Sequence, residues 1–289
     1  MRQRAASSVG VVVVGLLPAL VGGPAFAALM IALCLIGYRE FSAIAAKIGP
    51  APPAVGYPTV AAFGVLALAS PTAEAALGAA AVAVGLPLIG AVFAREQTGA
   101  FVRWALGVAG TLYLGVPLFA AVALRGTAGT LDADWVADLA GRLSPGWDGA
   151  ARGMAWTLFV ILATWLNDTG AYLVGRSIGR TPLLPQVSPK KTVEGSLGGL
   201  VAAAAVGAAG VALFGLGVSP MAGAAIGLAL GALGQVGDLA ESLLKRQAGV
   251  KDSGALIPGH GGVLDRIDAL LFALTGGWFL ALLADRVAR

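Results

Sequence analysis

Long apolar stretches alternate with short polar segments along the whole chain. Nine stretches reach or approach the ~20 residues that a membrane-spanning helix needs. They cover residues 11–22, 24–36, 55–70, 73–94, 101–124, 155–174, 197–215, 221–239 and 269–283. The first two are short and meet at Gly22-Gly23-Pro24. They read either as a tight helical pair or as one long kinked helix, so eight or nine spans are expected. The runs are too long and too continuous for the alternating ten-residue strands of a membrane barrel. The pattern predicts an all-α, polytopic integral membrane protein with a multi-span region over residues 1–150. A second region, residues 151–289, would carry cytoplasmic-facing loops and the chemistry.

Composition agrees with this pattern. Apolar residues make up 58% of 289 residues, charged residues only 12%, and 43 residues are Gly. A typical soluble domain is about 25% charged, so a water-soluble globular domain and a disordered chain are both excluded. One Cys (Cys34) and one His (His260) cannot form an internal disulfide or a Cys/His zinc site. The N-terminus resembles a signal peptide, with Arg2 and Arg4 ahead of an apolar run ending in Ala25-Phe26-Ala27. The apolar character continues past Ala27, which favours an uncleaved hairpin.

The net charge of +4 is too mild to suggest nucleic acid. It fits orientation by the positive-inside rule. With nine spans and the N-terminus inside, fourteen of the 19 Lys and Arg fall on the inside face. Arg125, Arg142, Arg152, Arg286 and Arg289 fall outside. The polar stretch 126–152 then lies outside; a short surface helix and no chemistry are expected there.

The acids are unevenly distributed. Before residue 130 there are three: Glu40, Glu74 and Glu96. Asp168, Glu194, Asp238, Glu241, Asp252, Asp265 and Asp268 lie in or beside the later spans, near the inside face. An ionisable group in a membrane helix marks function and calls for a partner. Asp168 reads either as one half of a structural ion pair or as a metal ligand or positioner of a basic group. Asp238, Glu241, Ser242 and Lys245 share one helical face. A Glu241–Lys245 pair explains Glu241 but not Asp238, which is a turn deeper. Asp265 and Asp268 share a face at the start of the last span. Together with Asp238 they are hard oxygen ligands of the kind that suits Mg²⁺.

Phosphate-binding chemistry accompanies the acids. Ser188-Pro189-Lys190-Lys191-Thr192 is expected to be a polar, basic loop entering a helix. Lys245, Arg246 and Lys251 form a second basic group. Gly259-His260-Gly261-Gly262 is a turn whose N–H groups are suited to phosphate oxygens. His260 reads either as a cap or as a phosphate contact. No P-loop sequence and no phosphatidyl-alcohol transferase pattern is present.

The stretch from Ser242 to Asp268 closely resembles the signature of phosphatidate cytidylyltransferases, also called CDP-diacylglycerol synthases. That signature reads S-x-x-K-R-x4-K-D-x-[GSA]-x2-[LIF]-P-x-H-G-G-x2-D-R-x-D, and every fixed position is met across 27 residues. The runs Asn167-Asp168-Thr169-Gly170-Ala171-Tyr172, Ser188 to Thr192 and Glu194-Gly195 also look like the family's. The likeness covers about residues 160–285. It implies transfer of a cytidylyl group from CTP to phosphatidate, giving CDP-diacylglycerol and pyrophosphate. It also implies a divalent metal, usually Mg²⁺, a cell-membrane site open to the cytoplasm, and a homodimer. On this reading Asp238, Asp265 and Asp268 are expected metal ligands, with Asp168 a fourth. Ser188, Lys190, Lys191, Thr192, Lys245, Arg246, Lys251 and Arg266 would meet phosphate groups. His260, Gly261 and Gly262 would shape the nucleotide phosphate turn.

Two rivals remain at this level. A CTP-dependent enzyme for an isoprenoid-type lipid phosphate would use the same groups. A cation-coupled transporter would need inverted repeats with acids in both halves, and the first half lacks the counterparts.

Overall fold

A computed structural model describes residues 16–144, 150–257 and 261–287. The helices are α1 (Gly23–Ala45), α2 (Gly56–Ala69), α3 (Ala73–Val92), α4 (Ala100–Arg125), α5 (Asp134–Leu143), α6 (Ala150–Ile178), α7 (Val193–Leu213), α8 (Pro220–Gln247) and α9 (Leu264–Val287). Seven of them are long and apolar enough to cross a membrane, and α2 is a shorter apolar helix. The fold class is therefore the expected all-α, polytopic one; most bounds follow the apolar stretches, while α1 and α8 run past the expected ends at residues 36 and 239. The first stretch is described only from residue 16. Its helix stops at Gly22 (φ +71°), and α1 starts at Gly23 (φ +53°). Both glycines adopt left-handed backbone that other residues avoid, so the Gly-Gly-Pro site is a break. Ala25 to Ala27 lie inside α1.

One expectation is corrected. The basic segment from Ser188 is not simply a loop. Ser188–Thr192 forms strand β2, antiparallel to β1 (Pro182–Leu184). No strand signal is visible in that segment, because Pro and two lysines carry no apolar alternation. Thr192 then caps α7, its Oγ1 accepting the Gly195 N–H at 3.1 Å. Ser/Thr oxygens satisfy otherwise orphaned donors at helix starts in this way.

The chain divides into two compact units that interleave in sequence. Among the described residues the first comprises 16–18, 23–123 and 244–267; the second comprises 19–22, 124–243 and 268–287. In the first unit, small residues let large ones in. Gly37 lies against Leu114, Gly110 against Phe41, and Gly115 against Phe63. The Tyr38 hydroxyl donates to the Pro53 carbonyl at 3.3 Å, and its ring meets Tyr57 edge-on. Trp104 Nε1–H donates to the Val84 carbonyl at 3.0 Å, tying α4 to α3. Ala83 is the buried residue of α3; Leu77, Val82, Leu86, Ile89 and Val92 are exposed. For a helix of this composition the exposed side suits lipid.

The second unit is held by close helix crossings. A Cβ on Gly207 would collide with the Gly223 backbone, and one on Gly199 would reach Asn167. In lipid, helices gain nothing from hiding apolar surface, so packing of small residues drives association. That accounts for the high glycine content. Arg125 is buried, and its guanidinium donates to the carbonyls of Ala19, Leu20 and Ala150 and to Ser144 Oγ. It thereby satisfies carbonyls at the end of the helix over residues 16–21. The expected short surface helix is α5. It is amphipathic, buries Val136 and Ala140, and is anchored by Trp135 Nε1–H to the Leu213 carbonyl.

Candidate active site

In the second unit, α6, the β1–β2 hairpin and the start of α7 surround a cavity of about 570 Å³, together with α8. Asp168 and Asp238 line it, as do Ser188, Lys190, Lys191 and Thr192. Each element has a local reason for its place. The hairpin fixes the two lysines by backbone pairing, and Glu194 clamps the hairpin's entry. The Glu194 carboxylate accepts the Arg180 N–H at 3.1 Å, the Thr181 N–H at 3.2 Å and the Thr181 hydroxyl at 2.8 Å. Lys191 Nζ meets Asp238 Oδ2 at 2.7 Å, with side chains 30% and 37% exposed. A pair this open is worth only about 0–1 kcal/mol. An incoming phosphate or cation can therefore replace either partner at little cost.

Behind the carboxylates lies a polar chain that links three helices. Gln235 of α8 donates through Nε2 to Asn167 Oδ1 of α6 and to the Ser196 carbonyl of α7, both at 3.0 Å. Its Oε1 accepts the Ser196 hydroxyl. Asn167 Nδ2 then donates to Asp168 Oδ1 at 3.2 Å. Arg176 and Tyr172, joined at 2.9 Å, complete another part of the wall.

The first unit holds the segment between α8 and α9. Lys245 Nζ lies 2.5 Å from Asp265 Oδ1, with side chains 11% and 5% exposed. Asp265 Oδ2 accepts the Ser253 N–H at 2.9 Å and the Gly262 N–H at 2.8 Å, and lies 3.0 Å from Ser253 Oγ. Ile257 N–H donates to the Gly261 carbonyl at 3.0 Å. Gly261 has φ +81°, and a Cβ there would lie 2.5 Å from Asp265 Oδ2. Glycine is thus required both by conformation and by space.

The predicted residues fall into distinct groups. Asp168, Ser188, Lys190, Lys191, Thr192 and Asp238 meet at one cavity. Lys245, near the end of α8, and Asp265, at the start of α9, meet as a little-exposed pair beside Gly262. The Gly262 N–H, expected to face a phosphate, donates to Asp265 instead. Arg246, Lys251 and Arg266 are exposed. Asp268 Oδ1 accepts its neighbour's Ala269 N–H at 2.8 Å, and its carbonyl is packed against Gly237. His260 lies outside the described residues. No group of three or more acid, His or Cys side chains suited to a metal occurs among the described residues. Sequence reasoning gives Glu40 and Gln235 no part in the site; Asn167 enters only within a family-like run, and Arg176 only among the bases around the site. Polar side chains in apolar helices were their available signal.

Comparison with known proteins adds an independent line. A sequence model of the Cytidylyltransferase family matches residues 2–283. The chain is 44% identical over 124 residues to a phosphatidate cytidylyltransferase of Staphylococcus saprophyticus, covering 43% of this chain and 48% of that protein. It is 48% identical over 120 residues to one from Synechocystis sp., covering 42% and 41% respectively. The matched stretch spans less than half the length of these relatives.

Proposed function

The chain belongs to the cytidylyltransferase family, and we propose that it transfers the cytidylyl group of CTP to phosphatidate. The products are CDP-diacylglycerol and pyrophosphate. One observation carries this reading: two carboxylates and two lysines face a single cavity of about 570 Å³. A site for two phosphate-bearing substrates needs both kinds of charge. The names of the relatives and the Ser242–Asp268 signature give the reaction its substrate class.

The difficulty of the reaction is electrostatic. A phosphatidate oxygen attacks the α-phosphorus of CTP, and the bond to the β-phosphate oxygen breaks. The nucleophile is already an anion, so proton abstraction is not the main need. Like unit charges 4 Å apart repel by about 4 kcal/mol near a protein surface. That is about three decades in rate. Lys190, Lys191 and Arg176 counter this repulsion by donating hydrogen bonds to phosphate oxygens. Gln235 and Asn167 hold Asp168 toward the cavity while the charges redistribute.

Mg²⁺ is part of the proposal. It commonly takes one or two protein carboxylates and completes its shell with waters and substrate phosphates. Asp168 and Asp238 fit that donor set, since both line the cavity that the lysines line. When bound, the ion supplies neutralising charge between the phosphates and the leaving pyrophosphate. Asp265 suits a different part: its oxygens already hold Lys245, Ser253 and Gly262. It shapes the signature loop.

The test uses purified protein in detergent with labelled CTP, Mg²⁺, and either phosphatidate or a polyprenyl phosphate. CDP-diacylglycerol from the phosphatidate arm, lost with EDTA, is the expected result. Product only from the polyprenyl arm would reassign the lipid, and none from either would overturn the reading. The proposal also places the cavity on the cytoplasmic face of a cell-membrane homodimer. Labelling of an introduced Cys beside Lys190 only from outside would refute the orientation, and a monomer by mass in detergent would refute the dimer.

A further inference from the structure

Glu40 belongs to α1, more than 200 residues before the signature, yet it is built into the signature loop. Its side chain is buried, and the residue is 8% exposed. Oε1 accepts the Val263 N–H at 3.0 Å, and Oε2 accepts the Leu264 N–H at 2.8 Å. These are donors at the start of α9 that lack partners within the helix. The Ser253 hydroxyl lies 2.9 Å from Glu40 Oε2 and 3.0 Å from Asp265 Oδ2. With one proton it donates to one carboxylate at a time, so it couples the two. The same carboxylate lies close to two glycines of the signature, the fixed Gly262 and Gly254, where the signature also accepts Ser or Ala. A Cβ on Gly254 would lie 2.5 Å from Glu40 Oε1, and one on Gly262 would strike Glu40 Oε2 and Ser253 Oγ.

We propose that Glu40 is a positioning residue for nucleotidyl transfer, its carboxylate fixing Ser253 and the start of α9 so that Asp265 and Gly262 keep one geometry. The inference rests on the cytidylyltransferase reading. It gives a residue of the N-terminal region a part in the chemistry. A carboxylate is required because every group it faces is a donor. An amide would offer one acceptor and turn its own N–H₂ toward an N–H.

The test compares full-length wild type with Glu40→Gln, Ser253→Ala and the double variant, all taken from the monodisperse fraction. Turnover of CTP and phosphatidate is measured beside the rate of trypsin cleavage after exposed Lys251. Glu40→Gln is expected to lower kcat by about 100-fold, since small displacements of a catalytic group have that effect, and to speed cleavage about tenfold. Ser253→Ala should lower kcat about tenfold alone but no more than about twofold in the Glu40→Gln background, the non-additivity of residues acting through one relay. A role confined to folding would lower yield while leaving kcat per folded molecule intact. Turnover of Glu40→Gln within threefold of wild type, or losses that simply multiply in the double variant, would overturn the positioning role. If Glu40→Gln gives no monodisperse protein, Ser253→Ala decides: unchanged kcat and unchanged cleavage overturn the proposal. No CDP-lipid from the wild type would instead overturn the activity, and the positioning role with it.

Discussion

The loop between α8 and α9 and the cavity beside the hairpin each pair a carboxylate with a lysine, in opposite manners. In the loop, Lys245 and Asp265 are 11% and 5% exposed, and Asp265 also takes N–H groups from Ser253 and Gly262. In the cavity, Lys191 and Asp238 are 30% and 37% exposed. The first pair is costly to disturb, because removing one partner of a buried pair strands a desolvated charge. The second is cheap to disturb, because water screens it. The same two residue types thus give a fixed frame in one place and an exchangeable site in the other. The difference lies in burial and in the number of backbone donors recruited.

This contrast can be tested by substitution, taking stability in detergent as the measure. The largest loss is expected from Asp265→Asn. It removes the carboxylate charge facing Lys245 and should cost about 3–5 kcal/mol, with turnover abolished. Thermal unfolding followed by tryptophan fluorescence checks it; a loss below ~1 kcal/mol would show that the loop pair is as exchangeable as the cavity pair. Gly262→Ala comes next. Its methyl group would strike Ser253 Oγ and Glu40 Oε2, and overpacking of this kind costs about 1–3 kcal/mol. Wild-type melting would mean that the loop yields. Gln235→Leu breaks the bonds to Asn167 and Ser196 and should cost about 1–3 kcal/mol for the polar groups left buried. It should also raise the Mg²⁺ concentration giving half-maximal rate, through loss of support for Asp168. An unchanged Mg²⁺ dependence would separate that network from the carboxylate. The smallest loss of stability, about 0–1 kcal/mol, belongs to Asp238→Asn. Yet its kcat should fall about 100-fold or more, as for loss of one strong electrostatic group. Near-normal turnover in Asp238→Asn would refute the cavity as the reaction site.

The sequence disclosed these two regions unequally. The apolar runs gave the helices and most of their bounds, because length and hydropathy decide that in lipid; α1 and α8 run eight or nine residues past the expected ends, through polar residues. The signature gave Asp265, Lys245 and the glycines by their spacing. Asp168, Lys190, Lys191 and Asp238 were legible, and the sequence reading set them around one metal–phosphate site; which of the predicted residues line the cavity was not legible. Their meeting depends on the hairpin, whose strand Ser188–Thr192 has no apolar alternation to reveal it. Glu40 was hidden for another reason. Beside Arg39 near the end of a span, it reads as an ordinary interfacial charge, and its partners lie 213 to 224 residues away. A pairing at that separation leaves no trace in local pattern.

The reach of Glu40 also bears on how the protein is made. α1 is synthesised early, and its carboxylate must wait for Val263 and Leu264, which follow 223 and 224 residues later. At about 5–20 residues per second, that delay is tens of seconds or less. During it the nascent chain carries a polar group in an apolar helix with its final donors not yet translated. A ribosome that stops anywhere before the last helix therefore releases a chain with an unassembled loop. A chain that ends before α9 keeps the Glu40 carboxylate without its Val263 and Leu264 donors.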